Sequence, residues 1–278
     1  MYGWLTMAHL TFHEARQRKV LLAMLVLGGA FLSLFSTGFF FINRNLQAEQ
    51  GMPLQERRLI LSNMVMAGMY AVNFLMIMTA VLTPVDTISG EIGSGVIQTL
   101  ATKPVRRSEI LLGKWLGFWI ILLIYLTLMI GGIVGAVQVF GKFTPPNLKI
   151  GIPLMLLEGT LLLTLSIAGG TRLSTIANGV MVFGLYGLAF IGGWMEQIGT
   201  LLGNSTTRYI GILASLLVPS EALWQLAAYH MQPPLMRDLH LTPFSPVSIP
   251  NSNMVIWAGI YTLAALGVAL RQFSQRNL

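Results

Sequence analysis

One carboxylate interrupts an otherwise apolar run: Glu158, in MLLEGTLLL. An ionisable group held in hydrocarbon is costly, so such residues face a bundle interior or water and mark routes for ions, protons or cargo. The alternative is a position within a turn or two of the run's end near Pro153, from which the side chain snorkels to the interface. Asn63 and Asn73 lie in a second apolar stretch, and Gln138 in a third. They are candidates to line the same path, although helix-to-helix hydrogen bonding, worth about 0.6 kcal/mol on average, is the commoner role for such residues. A different chemistry is suggested by residues 90–114, GEIGSGVIQTLATKPVRRSEILLGK, a charged, glycine-marked and proline-broken segment between two long apolar blocks.

Other chemistries are excluded by what the chain lacks. Its Gly-Lys pairs, Gly113-Lys114 and Gly141-Lys142, have neither the upstream glycine nor the following Ser or Thr of a P-loop, so the chain does not bind ATP in that way. With no cysteine there is no disulfide, thiolate zinc site or iron–sulfur cluster. His9, His13, His230 and His240 are scattered, and the sixteen methionines lie mostly within apolar runs, where Met fills core gaps. No metal site is expected.

The elements that must position these residues follow from composition. The 278 residues are 54% hydrophobic and 10% charged, with mean hydropathy +0.70. A soluble domain carries roughly 25% charged residues, so this is an all-α integral membrane protein. Apolar runs long enough to cross a bilayer occupy residues 20–42, 59–85, 110–140, 150–170, 176–194 and 254–270. Six transmembrane helices are therefore expected in a single domain covering 1–278. Residues 1–19 place Trp4, Leu5, Ala8, Phe12 and Ala15 at helical spacing, which predicts an interfacial helix lying on the membrane surface. Residues 195–253 form one long non-spanning segment, with short membrane-dipping or interfacial helices and a start signal at Pro219-Ser220-Glu221.

Lys and Arg are retained on the cytoplasmic side of short loops. With the N-terminus inside, Arg16, Arg18, Lys19, Lys103, Arg106, Arg107, Lys114, Arg172, Arg271 and Arg276 are cytoplasmic, ten residues in all. Arg44, Arg57, Arg58, Lys142 and Lys149 then occupy the short outer loops, five residues, with Arg208 and Arg237 in the long outer segment. The expectation is a multi-pass protein of the cell inner (plasma) membrane, both termini cytoplasmic. The net charge of +7 reads as topology, and no nucleic-acid partner is expected.

The 90–114 segment then lies in the cytoplasm. Ile92, Val96 and Leu100 stand about a turn apart, with Glu91 near the start, so 89–103 reads as a short amphipathic helix. Pro104 ends it. Clamped between two spans, it serves either to transmit force to both or simply to connect them.

Glu91 and Gly95, followed by Leu100, Pro104, Arg107 and Gly113-Lys114, resemble the pattern found after the second span in permease subunits of ABC-2 type ABC transporters. The likeness is strongest to the branch described as multicopper-enzyme-maturation permeases. It extends to the surface helix, the order of six spans and the PSEALW stretch. In that family the segment is the coupling helix that docks on a partner ATPase. The resemblance implies that Glu91, Gly95, Leu100, Pro104 and Arg107 form the docking region, with Arg106 as an extra contact. It also implies a transport subunit with no catalysis or cofactor of its own, ATP being bound by a separate nucleotide-binding subunit. Two permeases, identical or merely similar, would work with two ATPases, and the resemblance implies export as the direction of transport. Two rival classes stay open, an ion-coupled secondary transporter using Glu158 and a non-transporting membrane scaffold. Few charges in the spans favour a hydrophobic or amphiphilic cargo, and membrane lipid is the expected surroundings.

Overall fold

Residues 3–17, 19–49, 51–93, 106–239 and 246–275 are described by the computed structural model. Eleven helices and no strand occur among them. They are α1 (Gly3–Gln17), α2 (Lys19–Ala48), α3 (Leu54–Leu82), α4 (Thr87–Gly93), α5 (Arg107–Ala136), α6 (Leu148–Gly170), α7 (Thr175–Leu201), α8 (Ser205–Leu217), α9 (Ser220–Met231), α10 (Pro234–Leu239) and α11 (Asn253–Gln275). A single π-turn, Val137–Gly141, extends α5.

Six stretches are long and apolar enough to cross a membrane: Lys19–Ala48, Leu54–Glu91, Arg107–Gly141, Leu148–Gly170, Thr175–Leu201 and Asn253–Gln275. A helix satisfies its own backbone groups, which hydrocarbon cannot do for it. The shortest, at 23 residues, is roughly 35 Å long, against the ~30 Å of a bilayer's hydrocarbon core. The helices overrun the apolar runs: 20–42 becomes Lys19–Ala48 and 176–194 becomes Thr175–Leu201. Hydropathy marks only the part suited to hydrocarbon, whereas hydrogen bonding continues through the polar ends.

The centre of the bundle is built by α3, α5 and α6. Met69, Val72, Met76 and Ile77 of α3 are buried, as are Leu161, Leu162 and Leu163 of α6 and Leu122 and Ile133 of α5. Ser166 Oγ donates to Val81 O at 3.0 Å, joining α6 to α3. Trp115 and Trp119 of α5 donate to Thr164 and Thr160 of α6 at 2.9 and 3.0 Å, one rung per turn. By contrast α2, α7 and α11 sit at the periphery and carry exposed Leu22, Leu34, Ile176, Val180, Ile256 and Leu263. In water such a surface would be a liability; around a bundle in hydrocarbon it is the expected wall.

Two elements make contacts that the sequence did not specify. α1 is helical, but it packs along the start of α5. Its buried face is Met7, Ala8 and Thr11, whereas Trp4 and Leu5 are exposed. The contact depends on glycine: a methyl at Gly113 would stand 2.7 Å from Trp4 O, and one at Gly117 3.0 Å from Ala8 O. α9 dips into the bundle, one of the two forms expected of the short helices in 195–253. It meets α8 at a bend of 104°, and residues 218–228 are all buried, packed chiefly against α6. α7 and α8 close a tight hairpin, in which a methyl on Gly211 would lie 2.5 Å from Glu196 N.

Candidate functional site

The turn that bends the chain into α9 brings a second carboxylate into the bundle. Glu158 of α6 is fully buried, Glu221 of α9 is 2% exposed, and the two lie close enough for their charges to interact. Asn73 of α3, itself buried, directs Nδ2 at Glu158 Oε1 over a long 3.4 Å. Tyr70 of α3 and Tyr186 of α7 are within electrostatic reach of both carboxyls. The Tyr70 ring meets Trp224 of α9 edge-on, with centroids 4.6 Å apart. α7 passes directly over α9, since a methyl on Gly193 would stand 2.5 Å from Glu221 Cγ and 2.7 Å from Gln225 Nε2.

Hydrogen bonding in this cluster is incomplete. Asn73 Oδ1 and Glu158 Oε2 are buried without a hydrogen-bond partner among the described residues. Buried acceptors of this kind are uncommon and costly, so the cluster is chemically fit to receive a proton, a cation or a donor group.

A polar clamp steadies it from α7. Gln197 Oε1 accepts from the backbone N–H groups of Val247 at 2.6 Å and Ser248 at 2.8 Å. Its Nε2 donates to Ser248 O at 2.9 Å and to Gln225 Oε1 at 3.1 Å. One side chain thereby uses both its donors and both its acceptor sites. Ser248 Oγ adds a bond to Glu196 at 2.6 Å. The segment that returns the chain to α11 is thus fixed to the helix that crosses over α9.

The other end of α3 carries a second constellation. α4 follows a turn at 83–86 and ends beside α5, where Lys114 Nζ donates to the Glu91 carboxylate, both side chains being buried. Thr175 Oγ1, at the start of α7, donates to Asp86 Oδ1 at 2.7 Å and lies 2.9 Å from Ser89 Oγ. Asn178 Nδ2 donates to Val85 O and Ser166 O. Thr171 donates to Gln272 at 2.9 Å, and Arg107 to Ser274 O at 3.3 Å. The ends of α3, α5, α6, α7 and α11 are therefore laced together around α4. Arg106 is exposed, with its N–H donating to Glu109 at 3.1 Å in the first turn of α5.

Of the residues singled out in the sequence, the structure joins Glu158 to Asn73 but not to Asn63. Asn63 is ten residues earlier on α3, about 15 Å along the axis. Burial of Glu158 removes the snorkelling alternative. At the other constellation Glu91 faces inward to Lys114, while Arg106 and Arg107 stand at the start of α5. Gly95, Leu100 and Pro104, with most of the expected 89–103 helix, lie outside the described residues. Glu221 and Gln197 carry no sequence signal for their roles: Glu221 reads as a favourable first-turn acid, and Gln197 as an ordinary polar residue after a span. No group of three or more His, Asp or Glu suited to a metal occurs among the described residues.

The family model described as ABC-2 family transporter protein matches residues 5–278. No curated protein matches the chain.

Proposed function

Since the chain belongs to the ABC-2 family of transporter proteins, as a multi-span membrane component, we propose that it is the permease of an ATP-driven exporter powered by a separate ATPase. Within the family, the reading extends to the multicopper-enzyme-maturation branch, on the residues from Glu91 to Lys114 that resemble it. In this reading both termini lie in the cytoplasm of a cell whose inner membrane holds the protein, as the ten-to-five distribution of Lys and Arg over the short loops supports. Two permeases, as a homodimer or with a similar chain, would work with two ATPases.

The observation that carries this reading is the position of α4. It forms the end of the second span, where the chain leaves for the third, and is tied to the third by Glu91 and Lys114. Load applied to the segment beyond Gly93 would pass through this ion pair to α5 and through the 83–86 turn to α3. α5 and α3 are two of the three helices that build the core, and α3 also carries Asn73. In this scheme Arg106 and Arg107 flank the docking region with Gly95, Leu100 and Pro104. The polar cluster at Glu158 and Asn73, joined by Glu221, is the part of the transport path that responds.

The test is co-purification of the permease with a Walker-box ATPase sought in the adjacent reading frame, followed by ATP turnover in lipid nanodiscs. Arg106→Glu and Gly95→Trp should each reduce association without reducing membrane insertion. Wild-type yield of ATPase with both variants rejects the coupling role. An ion-coupled carrier or a scaffold would show no permease-dependent change in ATP turnover.

A further inference from the structure

At the end of α3 opposite Glu91, a cavity of about 390 Å³ opens between α3, the loop before α6 and the loop after α9. Its volume falls within the roughly 300–1,000 Å³ typical of small-molecule sites. Four polar side chains line it: Gln55, Arg58, Ser62 and Thr144. The rest of the wall is Leu59, Phe143 and the three prolines Pro146, Pro233 and Pro234. None of the described lining residues is a carboxylate.

The two adjacent arginines of α3 have different employment. Arg57 Nη2 donates to Asn43 Oδ1 at 2.8 Å, and Asn43 in turn donates to Phe140 O at 2.6 Å, so Arg57 fastens α2 to α3 and the end of α5. Arg58 is exposed, lines the cavity, and has no hydrogen-bond or ion-pair partner among the described residues. Gln55 stands in the first turn of this 29-residue helix, where the unpaired backbone N–H groups and the helix dipole favour negative charge. Thr144 Oγ1 accepts from Gln138 at 3.5 Å, which leaves its own hydroxyl hydrogen for another acceptor. Ser62, buried at the inner wall, offers a second hydroxyl.

We propose that this cavity binds the phosphate group of an amphiphile, with Arg58 as the principal contact and Gln55, Ser62 and Thr144 as supporting donors. A guanidinium matches two phosphate oxygens with a rigid fork, and the hydroxyls and amide suit the remaining oxygens of a tetrahedral group better than the two coplanar oxygens of a carboxylate. The proline and phenylalanine wall supplies rigid apolar surface for the carbon skeleton attached to the phosphate. The site stands on the cavity and its donors, independently of ATP-driven export, and it is read without an ATPase present.

Binding is measured by calorimetry on the purified chain in a phosphate-free, uncharged detergent. The probes are dihexanoyl phosphatidylglycerol below its micelle concentration and inorganic phosphate. Wild type should bind the short-chain lipid. Arg58→Gln should weaken it about tenfold or more, the loss of one charge-assisted contact, and Ser62→Ala by a smaller factor. Arg208→Gln, which changes an exposed arginine on α8, should leave binding as it is. Inorganic phosphate that competes through Arg58 would show that the headgroup alone suffices, while failure to compete would show that the apolar part is required. Either result supports phosphate recognition here. The proposal is overturned if wild type binds neither probe, or if Arg58→Gln, eluting as a monodisperse peak, binds like wild type.

Discussion

Lys114 of α5 donates to the Glu91 carboxylate at the end of α4, and both side chains are withdrawn from the surface. The pair joins two helices that the sequence separates by a proline-broken stretch. A buried charge that loses its partner keeps its desolvation cost, so removing one member is far worse than replacing both.

Glu91→Lys should therefore destabilise the protein by about 3–5 kcal/mol, by leaving two cations together in a dry site. The exchange Glu91→Lys with Lys114→Glu should recover most of that loss. Thermal unfolding of the purified variants in detergent measures both. If the exchange is as unstable as the single change, the ion pair is not what holds α4 to α5.

Glu158→Gln removes an ionisable group at nearly constant volume from a fully buried position. Lipid-stimulated ATP turnover of the reconstituted complex should change while assembly persists. Glu221→Gln should change it too, and because the two carboxyls interact, the double variant should differ from the sum of the singles. Strict additivity, or turnover identical to wild type in all three, removes the cluster from the transport path.

Gly117→Val should lower the unfolding temperature, since a side chain there meets Thr11 Cβ at 2.9 Å and Ala8 O at 3.0 Å. Overpacking of this kind costs about 1–3 kcal/mol. Gly131→Val is the control, because no atom lies within 4 Å of the added Cβ. Equal behaviour of the two would contradict the packing of α1 on α5.

A cysteine placed at Ser205, in the exposed first turn of α8, should react with an impermeant maleimide in intact cells. The chain has no native cysteine to compete. Labelling only after lysis would reverse the assigned orientation.

Spans were legible because hydropathy is local: each run of apolar residues declares its own helix. Which face of a helix packs is a different matter in a membrane protein. The wheel of α1 singled out Trp4, Leu5, Ala8, Phe12 and Ala15 as the apolar stripe; Ala8 does pack and Phe12 partly so, but Met7 and Thr11 share the buried face while Trp4 and Leu5 are exposed. When the surroundings are themselves apolar, hydrophobicity no longer selects the inward face, and small residues that admit close approach do. Gly113 and Gly117 stand four residues apart, on one face of α5, but nothing in the sequence names α1 as their partner. Glu158 stood out against its neighbours, whereas Glu221 did not, since its proximity to Glu158 depends on the 104° bend between α8 and α9. Gln197 was hidden for the same reason, as it acts on backbone amides fifty residues away.

That bend also raises a question of parity. α1 rests on the start of α5 through Gly113 and Gly117, and the end of α11 is held to the same place by Arg107 and Ser274. A polypeptide whose first and last described helices meet at one end of a bundle has traversed it an even number of times. An even count makes the α8–α9 pair a detour that leaves and returns by one face, and predicts that a reporter fused after α11 shares a compartment with one fused ahead of α1.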